Sequence, residues 1–432
     1  MKLILAENRY LRYFSFFVLY LAQGFPFGLV NTAIAGYLAE HGATPAELGY
    51  FAFAQLPWSL KWLPAPLMDR FTYLAMGRRR PWVILAQTGM LLAGIAFAFF
   101  PHALGNVALL TTLCFILNAF SATQDVAVDG MAIDVLPPEE QGRANSFMAF
   151  GQVAGISIST TVGALVIANY GLPGLAVMLA IAFGLILLWS VVIRERAGEK
   201  LLPWTAGQAT ARSISLQAEG WKDILVNLMK VLFLPSSLLL MGASFLLIFS
   251  QGFWGGLANL IVVQNLGYAN TTYSFVVGTV IGPIAALAGL ALGYFIDRGG
   301  LKQFYMGMLF LYALLVTVVG LTESLWMSAT YLVVIGVLQA CIYQGTFISF
   351  IATHMNISWS RVAATQFSLY MAWVNIGRSN GPAAVAALRP YLDWNQMYFV
   401  MTLCLTAAIL LVWNVNLTAH QQKIAALEAE TR

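Results

Sequence analysis

Apolar stretches about twenty residues long recur along the whole chain, and short polar loops separate them. A helix needs about 20 predominantly apolar residues to cross the hydrocarbon core of a bilayer. The pattern therefore predicts an all-α membrane protein with twelve transmembrane helices. The predicted spans are 13–38, 47–68, 81–101, 106–132, 146–168, 172–193, 235–263, 272–296, 303–320, 325–352, 362–387 and 394–416.

The longest polar stretch divides these spans into six and six. We expect a first six-helix bundle over 1–193, a second over 235–416, and a C-terminal tail over 417–432. The stretch between the bundles, 194–234, is expected to be a linker. Its later part, from Ile214 to Lys230, has the pattern of an amphipathic helix that lies on the inner membrane face.

The composition agrees with this class, since only 9% of the 432 residues are charged and 60% are hydrophobic. Soluble domains are about 25% charged. If the N-terminus is cytoplasmic, Lys61 and Arg378 fall inside spans, Arg389 falls on the far side, and every other Lys and Arg lies on the cytoplasmic side. This asymmetry predicts that both termini are cytoplasmic. The net charge of +4 therefore reflects basic loops that set the membrane topology, and no nucleic-acid partner is expected.

Two acidic residues stand inside predicted span 4, where an ionisable side chain costs a few kcal/mol or more. Asp125 and Asp129 are four residues apart and therefore share one helix face, which Asn118 and Ser121 continue. A polar stripe on a buried helix usually faces a water-filled cavity. The stripe therefore indicates a transport pathway with a built-in proton acceptor. The alternative is a polar contact between helices.

One basic residue, Lys61, lies in span 2, eight residues before that span ends at Asp69. Asp125 lies nine residues before span 4 ends at Asp134, so the lysine and this aspartate are at similar depth. An ion pair between Lys61 and Asp125 or Asp129 would relieve the burial of either charge. Protonation of an aspartate would break such a pair during transport. A permanent structural pair is the alternative.

A second basic residue, Arg378, lies within the spans of the second half, and no acid lies within those spans. We therefore expect a buried cation whose partner is Asp125, Asp129, a backbone carbonyl or an anionic substrate. Contact with the substrate or its pathway is the role we favour slightly.

A short loop motif occurs in both halves. Asp69-Arg70 ends span 2 and precedes Gly77-Arg78-Arg79-Arg80, and Asp297-Arg298 ends span 8. With the twelve spans, this motif resembles the major facilitator superfamily. That resemblance implies two pseudo-symmetric six-helix bundles that transport a small molecule by alternating access. From their position at the cytoplasmic surface, we expect a gating role for Asp69, Arg70, Arg78, Arg79, Arg80, Asp297 and Arg298.

A more specific motif, ATQDVAVDG, occupies residues 122–130. It resembles the AmpG muropeptide permeases and the related acetyl-CoA transporters, a group whose shorter branch imports siderophores. One departure is Gly130-Met-Ala-Ile133, where the permeases usually have an aromatic-basic pair. The resemblance implies an inner-membrane importer of a polar or amphiphilic conjugate such as an anhydromuropeptide. Such a protein uses the proton gradient, and we expect a monomer without a bound cofactor. A siderophore importer and a transporter or flippase of CoA esters or lipids are the alternatives.

In that superfamily spans 1, 4, 7 and 10 surround the pathway, so polar and aromatic side chains on these spans are candidates for substrate binding. Each of them also fits an interhelical contact. The candidates besides Arg378 are Gln23, Asn31, Gln124, Gln251, Trp254, Gln339, Tyr343 and Gln344. Small residues recur every four positions from Gly151 to Gly163 in span 5, and the resemblance implies either a sliding seam against span 8 or static packing.

Other classes fit less well. The sequence has no HExxH or GxSxG motif and no phosphate-binding loop, and its four His residues do not cluster. Cys114, Cys341 and Cys404 lie in apolar spans without metal-ligand spacing. We therefore expect neither an enzyme nor an ATP-driven pump, and no metal site.

Overall fold

Helices account for nearly all regular structure in the computed structural model, which describes residues 3–41, 43–44, 47, 50–217, 220–268 and 276–430. The side chains of residues 39, 259, 263, 264, 297–299 and 430 lie outside the description. In chain order the helices are α1 (Arg9–Gly28), α2 (Ala35–Glu40), α3 (Leu56–Ser59), α4 (Ala65–Arg70), α5 (Arg80–Ala96), α6 (Val107–Val135), α7 (Gln141–Val192), α8 (Ala211–Ser215), α9 (Trp221–Leu232), α10 (Pro235–Leu260), α11 (Gly282–Gly299), α12 (Leu301–Leu321), α13 (Ala329–Ile357), α14 (Ala363–Leu388), α15 (Trp394–Trp413) and α16 (Leu417–Glu430).

The helices group into two compact units. The first unit comprises Met1–Pro137, Phe147–Leu228 and Trp359–Ser368. The second unit comprises Pro138–Ser146, Met229–Ser358 and Leu369–Arg432. The late segment Trp359–Ser368 therefore packs with residues that precede it by more than a hundred positions.

Within the described ranges, nine helical segments are long and apolar enough to cross a membrane. One of them contains both predicted spans 5 and 6, because α7 runs for 52 residues through a kink at Gly171. Gly171 has φ +60°, a conformation that favours glycine, and Pro173 follows it. Predicted span 11 forms the 26-residue helix α14, which falls outside the nine because Arg378 and nearby polar residues make it less apolar.

Predicted span 2 is not a continuous helix, which corrects the sequence prediction. Helix α3 ends at Ser59, α4 begins at Ala65, and Lys61 lies in the turn between them. Prolines explain the break, because Pro64 lacks a backbone N–H and disfavours helical geometry in the residue before it. The interruption places a charged residue at a non-helical point of the chain.

The predicted linker helix is shorter than expected. Helix α8 ends at Ser215, and the amphipathic helix α9 begins only at Trp221. Ile224 and Leu228 of α9 are buried, whereas Trp221 and Leu225 are 52% and 60% exposed. An exposed apolar face of this kind is typical of a helix that lies in a membrane interface.

The small residues of α7 pack mainly against α1. A Cβ built on Gly155 would lie 2.2 Å from the Leu21 carbonyl oxygen, and one built on Gly151 would lie 2.3 Å from that of Phe17. Among the described glycines of predicted span 8, Gly293 of α11 is the one that approaches span 5, at Ser146 near the start of α7. The glycines therefore serve close approach of two backbones inside the first unit.

This packing predicts that Gly155→Ala lowers the thermal stability of the purified protein. The added methyl group meets the backbone of α1, and overpacking of this kind costs about 1–3 kcal/mol. Gly184→Ala is the matched control, because a Cβ at Gly184 of the same helix meets nothing within 4 Å. Equal melting temperatures for the two variants in one detergent would contradict the assignment.

Candidate functional site

A buried ion pair lies at the break in span 2. Lys61 Nζ donates to Asp125 Oδ2 at 2.7 Å, and the two side chains are 11% and 6% exposed. The turn between α3 and α4 carries the lysine, and α6 carries the aspartate. The sequence left both Asp125 and Asp129 open as partners of Lys61. In the structure, Lys61 pairs with Asp125.

The second carboxylate of α6 has a different partner. Asp129 is 4% exposed, and the Tyr20 hydroxyl of α1 donates a hydrogen bond to its Oδ1. Tyr20 is neutral, so the cluster contains two carboxylates and one ammonium group. The sequence prediction missed Tyr20, because a phenol in an apolar helix has the same pattern as ordinary aromatic packing.

The amides of α6 attach that helix to its neighbours. Trp58 Nε1 donates to Asn118 Oδ1 at 2.9 Å, and Asn118 Nδ2 donates to the Ala54 carbonyl at 2.8 Å. Gln124 Nε2 donates to the Leu19 carbonyl of α1 at 3.0 Å. These contacts hold α6 against α1 and the first part of span 2, directly before the charged cluster in the sequence.

The two candidates on span 1 differ. Gln23 is fully buried, and neither polar atom of its amide has a hydrogen-bond partner among the described residues. Asn31 is exposed and donates to the Phe27 carbonyl of its own helix at 3.0 Å. Gln23 therefore keeps unused hydrogen-bonding capacity in the interior, whereas the described contact of Asn31 is local.

Three of the predicted gating residues form a buried network at the end of α4. Asp69 is fully buried and lies within ion-pair distance of Arg78 and Arg79. Arg78 Nη1 and Arg79 Nε contact Asp134 Oδ2 at 3.1 and 3.3 Å. The backbone N–H and hydroxyl of Thr365 donate to Asp69 Oδ2 at 2.9 and 2.7 Å. Asp69 therefore joins the arginine loop to the late segment of the first unit.

A linker carboxylate, Glu195, holds the same loop from the other side. It accepts hydrogen bonds from the backbone N–H groups of Arg78 at 3.0 Å, of Arg79 at 2.7 Å, and of Arg80. These groups precede or begin α5, where a negative charge is favourable. The sequence prediction missed Glu195, whose only signal was its position directly after span 6.

Glu199 lies beside Glu195 at this end of the linker. Burial, followed by the charge of Glu195, raises the pKa of the Glu199 carboxyl from its ordinary value of 4.5 to about 7. Its Oε2 accepts the backbone N–H of Arg196 at 2.9 Å. Two neighbouring carboxyls in one buried site thus give this end of the linker a group that titrates near neutral pH.

The remaining gating candidates do not share one environment. Arg80 is buried and donates to the backbone carbonyls of Ser190 at 3.2 Å and Lys200 at 3.0 Å. It therefore holds the end of α7 and the start of the linker at the beginning of α5. Arg70 lies apart from the network, with its guanidinium 5.5 Å from the centre of the Phe71 ring. The side chains of Asp297 and Arg298 lie outside the described residues.

In the second unit, two predicted amides meet a buried tyrosine. The Tyr312 hydroxyl donates to Gln251 Oε1 at 3.0 Å, and Gln339 Nε2 contacts the same oxygen at 2.9 Å and the hydroxyl at 3.0 Å. Tyr312 lies on span 9, outside the spans from which candidates were taken. On the same helix, the buried Tyr305 hydroxyl has no hydrogen-bond partner among the described residues.

Arg378 is exposed, which corrects the expectation of a buried cation. Its guanidinium lies close to the hydroxyl of Tyr343. The Tyr343 ring lies 6.4 Å from that of Tyr312. Hydropathy predicts that Arg378 lies inside span 11, but it does not tell which face of a polar helix packs against protein.

The last two candidates of the second unit make packing contacts. The Trp254 ring meets the Tyr398 ring edge to face at 5.7 Å. Gln344 packs against Gly289, where an added Cβ would lie 2.8 Å from Gln344 Cγ. Across the described ranges, no group of three or more His, Cys, Asp and Glu is arranged to hold a metal ion.

Comparison with known proteins agrees with the fold. The family model for the Major Facilitator Superfamily matches residues 16–382. The chain is 28% identical over 159 residues to the anhydromuropeptide permease of Escherichia coli strain K12, which is 35% of this chain and 32% of that protein. The matched region therefore covers about a third of that relative's length.

Solved structures extend the likeness to nearly the whole chain. The transporter FucP in its outward conformation superposes with a TM-score of 0.69 at 11% identity, over 94% of this chain and 98% of FucP. The human organic anion transporter MFSD10 gives 0.68 at 16% identity, over 93% and 98%. The predicted all-α membrane fold with twelve transmembrane helices is confirmed. The chain belongs to the major facilitator superfamily of multi-pass membrane transporters, which are permeases rather than enzymes.

Proposed function

We propose that the protein imports a small polar or amphiphilic solute together with protons, by alternating access. One observation carries the proposal. Asp125 and Asp129 are buried together in α6, and in the described part of the chain Lys61 is the one cation that forms an ion pair with either of them. Burying a carboxylate without a cation is costly, and uptake of a proton removes that cost.

The two aspartates have separate tasks in this proposal. Asp129 is the carboxylate whose partner is a neutral phenol, so it is the natural site for a transported proton. A change of its charge alters the field at the Lys61–Asp125 pair, since both aspartates lie on one face of α6. The pair links α6 to the break in span 2, and loosening it frees that turn to move.

Span 2 supplies a route from this cluster to the gate. Lys61 and Asp69 are eight residues apart and are separated only by the turn and the short helix α4. A displacement of the turn therefore moves the Asp69 end of α4. We propose that contacts of Asp69 with the arginine loop and Thr365 open and re-form in each transport cycle.

The second unit provides groups suited to the solute. Gln251, Tyr312 and Gln339 are neutral hydrogen-bonding groups, and Arg378 is an exposed cation beside the aromatic ring of Tyr343. Such a set fits a solute with hydroxyl or amide groups and a carboxylate. An anhydromuropeptide has this chemistry, and the Escherichia coli relative is named for its transport.

The proton-coupling proposal predicts that Asp129→Asn abolishes uphill accumulation. The asparagine oxygen can still accept the Tyr20 hydrogen bond, so the fold is retained while the titratable group is lost. Uptake of labelled anhydromuropeptide into proteoliposomes with an imposed pH gradient measures the effect, with a ferric siderophore as the second probe. Asp125→Asn should in addition destabilise the protein, because stranding one member of a buried pair costs about 3–5 kcal/mol.

Asp393→Asn is the matched control, since Asp393 is an exposed helix cap and asparagine caps equally well. It should transport like the wild type. Undiminished accumulation by Asp129→Asn, or full accumulation after the proton gradient is collapsed, would contradict the proposal.

For the solute site, Arg378→Gln should weaken binding of an anionic solute about tenfold or more, the effect of one charged hydrogen bond. Thermal stability should be unchanged, because the Arg378 side chain is exposed. Arg389→Gln, an exposed arginine stacked 4.0 Å from the Trp394 ring centre, is the control. An equal loss for a neutral solute analogue would show that Arg378 does not recognise charge.

The Glu195–Glu199 pair predicts a pH-dependent stability. Folding raises the pKa of the Glu199 carboxyl from 4.5 to about 7, so the folded protein favours the protonated carboxyl. The contribution of this group to the free energy of unfolding is therefore complete below about pH 4.5 and is lost as the pH rises through 7. Glu199→Gln should therefore raise the melting temperature above that of the wild type near pH 8, with little difference near pH 4.5. Glu7→Gln, at an exposed position of the same unit, should show no such pattern. A difference of the same size at both pH values would contradict the assignment.

A further inference from the structure

A groove of about 400 Å³ opens where span 2 ends and α5 begins, on the side of the linker. Arg70, Thr72, Tyr73, Trp82, Leu85 and Gln217 contribute to its lining. All of them belong to the first unit. The groove is separate from the buried arginine network, and neither the transport cluster nor the solute groups reach it.

The charge of the groove is positive. Arg70 is the charged residue of the lining, and no described carboxylate lies within ion-pair distance of its guanidinium. Lys200 stands at the rim, with its Nζ 3.5 Å from the Tyr73 hydroxyl. An arginine that faces a groove without an acid is suited to bind a phosphate group bidentately.

A polar group in the groove also lacks a partner. The Thr72 hydroxyl oxygen is buried, and no described residue hydrogen-bonds to it. The walls around it are fixed, because Trp82 Nε1 donates to the Phe71 carbonyl at 2.6 Å and Gln217 Nε2 donates to that of Arg70 at 3.4 Å. The Thr72 hydroxyl therefore has hydrogen-bonding capacity that no described residue uses.

The groove continues into an apolar stripe. Leu85, Leu92 and Phe99 are spaced seven residues apart along span Arg80–Phe99, and they are 56%, 61% and 73% exposed. On the other side, Trp221 of α9 packs against Phe71 with ring centres 5.9 Å apart. Tryptophan and tyrosine concentrate at the level of lipid headgroups, so the groove has the setting of a membrane interface.

We propose that this groove binds the headgroup of an anionic phospholipid from the leaflet on the linker side. Arg70 pairs with the phosphate, the Thr72 hydroxyl donates to a phosphate oxygen, and an acyl chain follows Leu85 and Leu92. An anionic lipid is preferred to a zwitterionic one, because the groove and its rim carry two cations and the lining carries no acid.

Lipid titration of the purified full-length protein, followed by native mass spectrometry, tests the proposal. Phosphatidylglycerol should bind about tenfold more tightly than phosphatidylcholine with the same acyl chains, and Arg70→Gln should remove this preference. Arg9→Gln is the matched control, because Arg9 lies over the neighbouring Tyr10 ring at 4.8 Å, much as Arg70 lies over Phe71. Arg9→Gln should bind both lipids like the wild type.

Three results would overturn the proposal. One is an unchanged preference for phosphatidylglycerol in Arg70→Gln. Another is an equal loss in Arg9→Gln. The third is displacement of the lipid by inorganic phosphate at similar concentration, which would assign the site to a soluble phosphate compound. If Arg70→Gln melts below the wild type, Thr72→Val replaces it as the test variant, and wild-type lipid binding by Thr72→Val would then also overturn the proposal.

Discussion

Removing an ionised side chain from water costs several kcal/mol unless an opposite charge or several hydrogen bonds replace the lost hydration. This constraint shapes the first unit. Asp69, Asp134 and Glu195 are surrounded by the guanidinium and backbone N–H groups of the arginine loop, and that loop is almost completely buried. A loop that would otherwise be a solvated surface turn thereby becomes part of the core of the unit.

The two charged clusters of this unit satisfy the constraint to different degrees. In the loop network each carboxylate has more than one donor, which favours a single arrangement. In the α6 cluster, the Tyr20 hydroxyl is the one hydrogen-bond donor to Asp129 among the described residues, and Lys61 is held by a turn rather than a helix. A fully compensated network returns to the same contacts each time it closes, whereas an under-compensated one can change its charge state. The loop network is therefore suited to act as a gate, and the α6 cluster to take up a proton.

The sequence predicted the elements whose signals are local. Twelve spans followed from apolar length, and the depth of Lys61 and Asp125 followed from counting residues to the span ends. Tyr20, Tyr312 and Glu195 were missed because their roles depend on neighbours far away in the chain, and a phenol in an apolar helix resembles packing. The break at Lys61 was visible in its prolines, but its meaning required the contact with α6. The burial predicted for Arg378 was wrong because hydropathy gives depth in the membrane and not the direction of a side chain.

The sequence separation of the loop contacts also has a consequence for biosynthesis. Glu195 follows the backbone groups that it binds by 115–117 residues, and Thr365 follows Asp69 by 296. Because a chain is made from its N-terminus, the backbone N–H groups of the three arginines leave the ribosome well before Glu195, and Asp69 leaves it long before Thr365. The first unit therefore finishes folding only after most of the second has been synthesised. A nascent chain arrested before residue 365 therefore leaves Asp69 without the two hydrogen bonds that Thr365 donates.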